Sequence, residues 1–141
     1  MELLTGMLQC MNAEDAGRFR EATMSAAHVL FPPRRQRHQT SASKGSAEGA
    51  AQLTEQHACT LALGSVLLSS PYAIKPWTGD VVMALARAAR ESVPVKGSAA
   101  DALQQFRTNH EGISRLPLKQ RLDPDVWDAL RDAAVQTSYF A

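Results

Sequence analysis

Residues 53–77, LTEQHACTLALGSVLLSSPYAIKPW, decide the fold. From residue 58 to 68 nearly every position is apolar or small, and none is charged. Alternation at period two is absent and the run outlasts an ordinary strand, so a helix is predicted. Leu61, Leu63, Val66, Leu67 and Leu68 point to several sides of it. A helix that is apolar nearly all round either spans a membrane or is buried among other helices. The run meets polar Ser69 and Ser70 well short of the ~20 apolar residues that a bilayer requires. A buried helix is expected, with Thr54 as its N-cap. Ser69-Ser70-Pro71 stops it, because Pro71 cannot donate a backbone hydrogen bond and disfavours helix at Ser70. Tyr72, Ile74 and Trp77 then predict a connector packed down over the helix ends.

At 141 residues the chain suits one modest domain or a piece of a larger array. Its apolar fraction of 45% and charged fraction of 21% are ordinary for a globular protein. A net charge of +1 gives no electrostatic case for direct nucleic-acid binding. Cys10 and Cys59 lie in apolar helical patterns without metal-ligand spacing, and read as reduced core residues of an intracellular protein. The opening LLTGMLQC is too short for a signal peptide.

Outward from the central stretch, every segment reads as helix or loop. Leu3, Leu4, Met7 and Leu8 form a short amphipathic segment, read as the tail end of a helix. Asn12 is expected to cap the next helix, with Glu14 and Asp15 in its first turn. Phe19, Thr23, Ala26 and Leu30 make its apolar face, and His28 is a surface residue near its end. Pro32-Pro33 ends that helix. Residues 34–51, RRQRHQTSASKGSAEGAA, carry no large apolar side chain and are read as a disordered basic insertion. Arg34, Arg35 and Arg37, with His38, form a basic cluster whose functional reading is nuclear import.

Beyond the central helix, Thr78 is expected to cap a helix running to about Arg90, with Val81, Val82, Leu85 and Ala89 inside. Val93-Pro94-Val95 breaks the chain. Ser98 is read as the cap of a fifth helix burying Ala99, Leu103 and Phe106, with His110 and Glu111 as its polar end. Residues 113–122 are read as irregular. Asp123-Pro124 starts a last helix facing inward through Val126, Trp127, Leu130 and Ala134, and fraying at residues 136–138. With no strand signal, the fold class is all-α. The helix lengths and spacing point to a HEAT-like helical repeat (α-solenoid) segment, with a compact bundle as the rival.

Chemistry is not legible. His57 and Cys59 are two apart on a helix and diverge. No HExxH, GxSxG, phosphate-binding glycine loop or Cys/His cluster occurs. The first turn of a helix accounts for Asp123 and Asp125. No catalytic residue, metal or cofactor is assigned.

The sequence HACTLALGSVLLSSPYAIKPW, the Pro-Val break, FRTNHE and the terminal YFA resemble the C-terminal region of a known family. It is the family of proteasome activator complex subunit 4, the giant HEAT-repeat activator of the Blm type. The resemblance covers essentially the whole chain and is densest over residues 57–77. It implies a non-enzymatic segment of a helical dome seated on the proteasome core particle. It also implies a free C-terminus entering a pocket between α-subunits, with Tyr139 in the hydrophobic place, Phe140 in the tyrosine place and Ala141 terminal. Phe140 lacks the hydroxyl of the family's penultimate tyrosine. The family's acetyl-lysine pocket uses an Asn-Phe pair just after Gln-Cys; here Gln9-Cys10 is followed by Met11 and Asn12, with the asparagine displaced by one and the aromatic missing. Asn12 is therefore the residue on which the alternative, an acetyl-histone reading module, rests; a plain helical scaffold is the third reading. Residence in nucleus and cytoplasm, and links to acetylated-histone degradation and DNA repair, follow from the resemblance. The expected organisation is a partial helical pair at 1–31, the basic loop at 32–52, HEAT-like helices at 53–138 and the docking tail at 139–141.

Overall fold

The computed structural model describes residues 1–33, 46–113 and 115–138, and over them the chain is helical with no strand. The helices are α1 (Glu2–Cys10), α2 (Ala13–Leu30), α3 (Ser46–Leu68), α4 (Thr78–Ala88), α5 (Val95–Glu111), α6 (Leu118–Arg121) and α7 (Pro124–Ser138). The core of the basic insertion, with Arg34, Arg35 and Arg37, lies outside the described residues, as do Tyr139, Phe140 and Ala141.

α3 is the buried helix that its composition demands. Leu63, Val66, Leu67 and Leu68 are all buried, and α1, α2, α4 and α5 pack around it. Burying one such side chain contributes roughly 1.5–3 kcal/mol, so this helix supplies much of the core. It begins at Ser46, earlier than the sequence reading placed it. Residues 46–52 therefore belong to the helix and not to the insertion. The reason is propensity: Ala, Glu and Gln are strong helix formers even where nothing apolar is buried. Thr54 is consequently no cap; its hydroxyl donates to the Ala50 carbonyl at 3.0 Å, one turn back.

Asn12 does cap α2, its Oδ1 accepting from the Asp15 backbone N–H at 2.8 Å. The buried positions of α2 are Thr23 and Ala27, whereas Ala26 is exposed, so the apolar stripe is rotated from the expected register. α4 buries Val81, Val82 and Leu85, and Ala89 at its C-cap is buried too, as predicted. Thr78 lies inside α4 instead of capping it, and its hydroxyl accepts from the Lys75 backbone N–H at 2.9 Å. α5 starts at Val95, before Ser98, whose hydroxyl shares a 2.9 Å hydrogen bond with His57 Nε2 on α3. Within the stretch read as irregular, Leu118 and Leu122 are buried, and a single helical turn, α6, brings them in. α7 buries Val126, Leu130 and Ala133 and stays helical to Ser138, past the predicted fraying point. In the α3–α4 connector Ile74 and Trp77 pack on the core, but Tyr72 is 68% exposed, against the expectation for that residue.

Paired contacts set the directions. Gln56 Nε2 donates to the Leu30 carbonyl at 3.3 Å, and Cys59 Sγ lies 3.8 Å from the Thr23 carbonyl, so α2 and α3 are antiparallel. Along α3, His57 faces Ser98 while Gly64 faces Ala102, so α3 and α5 run parallel. A Cβ on Gly64 would meet the Met1 side chain first and would stand 3.1 Å from the Ala102 Cβ, so this glycine makes room for both α5 and the start of α1. Near their starts, Gly79 of α4 lies against Val126 of α7. With α6 a mere turn, each long helix packs substantially only on the next or next-but-one along the described chain. That is the pattern of a stacked helical array (α1 and α2 on α3, α3 with α4, α4 with α5, α5 with α7), and it differs from a bundle closed on itself. Alternate long helices α1, α3 and α5 begin at Glu2, Ser46 and Val95, close to the 40–47-residue spacing of HEAT-type repeats.

Candidate functional site

The end of the chain is carried by α7. Asp123 offers its carbonyl to the Trp127 N–H at 2.9 Å, and Pro124 stands at the first helical position, where its missing donor costs nothing. Val126 and Leu130 key α7 into α4 and α5. Trp127 is partly buried, with the Arg107 guanidinium 5.9 Å from its ring centre. Arg107 is itself held by Glu111 at 2.8 Å. On the outer face Arg131 pairs with Asp128 at 3.5 Å and Asp132 at 3.7 Å, an exposed pair of small energetic weight. A helix fixed in this way delivers the chain to Ser138, directly before Tyr139, Phe140 and Ala141.

Asn12 is exposed and engaged in its cap: besides accepting from Asp15 N–H, its Nδ2 donates to Asp15 Oδ2 at 2.8 Å. His28 is on the surface, as read from the sequence. His57 and Cys59 diverge as expected, one to α5 and the other to α2. Burial pushes the Cys59 thiol up to about 11, which makes it a poor nucleophile. Cys10 is exposed and not a core residue, because the short α1 turns that side away from α3.

His110 departs most from expectation. It is only 2% exposed, not a polar helix end. Its ring lies 4.4 Å from that of Phe106, its Nδ1 is 3.5 Å from Arg121 Nη1, and its Nε2 has no hydrogen-bond partner. Burial first, and the Arg121 charge second, hold its pKa below the ordinary histidine value, against a small opposing contribution from the Ser70 backbone. The signal was present: residues 99, 103, 106 and 110 follow one helical face.

A polar cleft of about 280 Å³ opens between the α3–α4 connector and the start of α7, with Lys75, Asp80, Arg121 and Asp123 on its walls. Its charges are of both signs. No group of acidic, histidine or cysteine side chains suited to hold a metal occurs among the described residues. No described helix is long and apolar enough to cross a membrane.

The architecture defines a class, a HEAT-like helical segment with no assembled catalytic group among its described residues. Comparison with known proteins makes this particular. Residues 53–141 match the family model described as proteasome activator complex subunit 4-like, C-terminal. The Arabidopsis thaliana proteasome activator subunit 4 is 28% identical over 139 residues, covering 99% of this chain and 7% of its own length. The human proteasome activator complex subunit 4 is likewise 28% identical over 139 residues. The Bos taurus protein is 32% identical over 92 residues, 64% of this chain. No solved structure matches the chain significantly. The chain belongs to the proteasome activator complex subunit 4-like family, through its C-terminal region. It spans about 7% of the length of the full relatives it matches.

Proposed function

We propose that this chain is a proteasome-docking segment of a helical proteasome activator, acting without catalysis of its own. Its C-terminal residues Tyr139, Phe140 and Ala141 enter a pocket between α-subunits of the proteasome core particle and promote opening of the gate. The observation that carries this reading is that the family match runs through to residue 141 and includes the aromatic tail. Two adjacent aromatics at a chain end are costly to leave in water and are frequent anchors of small interfaces. The same reading keeps Arg34, Arg35 and Arg37 as a nuclear-import signal for a protein shared between nucleus and cytoplasm.

The test is capture of purified core particle by the intact chain and by tail variants. Deleting Ala141 moves the carboxylate by about 3.5 Å along an extended chain, out of reach of a cationic partner. Losing a hydrogen bond to a charged group costs roughly 1.5–3 kcal/mol, so binding is expected to weaken at least tenfold. Phe140→Tyr restores the family's hydroxyl and is expected to strengthen binding or peptide-hydrolysis stimulation several-fold. If Ala141 deletion and Phe140→Ala both leave capture unchanged, the docking-tail reading fails.

A further inference from the structure

An open, mostly apolar groove of about 450 Å³ runs between α2 and α3. Phe19, Ala22, Ala26 and Leu30 line one wall; Ala58 and Ala62 line the other. Ala22, Ala26 and Ala58 are exposed in it. Alanines spaced by four residues on both walls let a third helix approach closely, and the groove follows about two turns of α3 and three of α2.

The groove lies in line with α1. Thr23 sits at the level of Cys59 and Leu30 at that of Gln56, so α2 starts beside the C-terminal end of α3. α1 ends just before α2 begins and so runs toward that same end, parallel to α3. At its other end Met1 rests at Gly64 and Ser65, its carbonyl accepting from Ser65 Oγ at 3.3 Å. Going back along α3 from Ser65, the residues that follow on the same face are Ala62, Ala58 and Glu55, the groove's own wall. The α1–α3 interface thus continues as a prepared surface after α1 itself has left it.

We propose that this groove is a helix-docking site whose occupant is an amphipathic helix, running in line with α1 and parallel to α3. It presents small apolar side chains to the alanine walls, with a basic residue opposite Glu55 at the rim. Its source is the polypeptide that precedes the matched region in the long relatives: the family model describes a C-terminal region, and the match spans about 7% of those chains. This proposal is independent of the tail.

The probe is a fluorescein-labelled peptide of about 14 residues, long enough for some four turns, taken from immediately before the matched segment of the human relative. It is titrated with the full 141-residue chain by anisotropy. Saturable binding is expected, weakened at least tenfold by Ala58→Glu and by Ala26→Glu on the opposite wall. Val93→Glu, at an exposed position in the α4–α5 connector, should leave it unchanged. Far-ultraviolet circular dichroism verifies that each variant remains helical. The proposal is overturned if the folded chain does not bind, if both groove variants bind like the parent, or if a scrambled peptide binds equally. It is also overturned if the chain dimerises and Ala58→Glu abolishes the dimer, for a second copy is then the occupant.

Discussion

At the scale of single residues, His110 is the group whose surroundings make a measurable demand. Its imidazole is packed against Phe106 with Arg121 beside it and no partner for Nε2, so the neutral form is favoured in the folded protein. Unfolding returns it to an ordinary histidine pKa, near 6.5. Because the folded pKa lies below that value, the unfolded state binds more protons in between. Stability is therefore full above about pH 6.5 and falls as pH drops toward the folded pKa, at no more than about 1.4 kcal/mol per pH unit. Thermal melts from pH 7.5 to 5 should show a falling Tm in the parent and a flatter profile in His110→Phe. Parallel profiles would mean that His110 protonates freely in the fold.

At the scale of elements, Gly64 and Gly97 separate close packing from helix propensity. Gly64 stands where α3 meets α5, with Ala102 3.1 Å from where its Cβ would be; nothing lies within 4 Å of a Cβ on Gly97. Gly64→Leu should displace the Met1 side chain, press on Ala102 of α5 and cost about 1–3 kcal/mol in urea melts, while Gly97→Ala should gain up to about 1 kcal/mol. Equal effects would place the two glycines in equivalent surroundings. Helix identity was legible because long apolar patterns of period 3.6 have few other solutions, and Asn12 and Asp123-Pro124 carried local signals. Starts set by propensity instead of a cap were not, as at Ser46. Thr78 and Ser98 are cap-type residues, but inside helices their hydroxyls serve Lys75 and His57 instead. The groove was half legible: Phe19, Thr23, Ala26 and Leu30 do share a face, but the sequence does not show that this face stays open. The docking role proposed for Tyr139 to Ala141 rests on the family's ending, since on the residues alone two aromatics at a terminus fit better a helix that folds them back.

At the scale of the whole molecule, the order of contacts predicts how the chain comes apart. Stability in a stacked array is close to a sum of each unit's own contribution and its interfaces with its neighbours. α3 is gripped by four helices, whereas α1 packs substantially on α3 alone and fully buries a single side chain, Leu8. Leu3 and Met7, 82% and 56% exposed, add nothing to holding it down. Opening α1 exposes little apolar surface, and opening α3 dismantles the core. Native-state hydrogen exchange should therefore be graded, with α1 amides opening at a small fraction of the global free energy and those of residues 63–68 in α3 opening only with global unfolding. Low urea should accelerate α3 exchange steeply and α1 exchange hardly at all, because the slope follows the surface exposed in each opening. A compact bundle behaves differently: its helices share one core and are released together. One common opening energy and one urea slope for every helix would therefore reject the stacked-array reading.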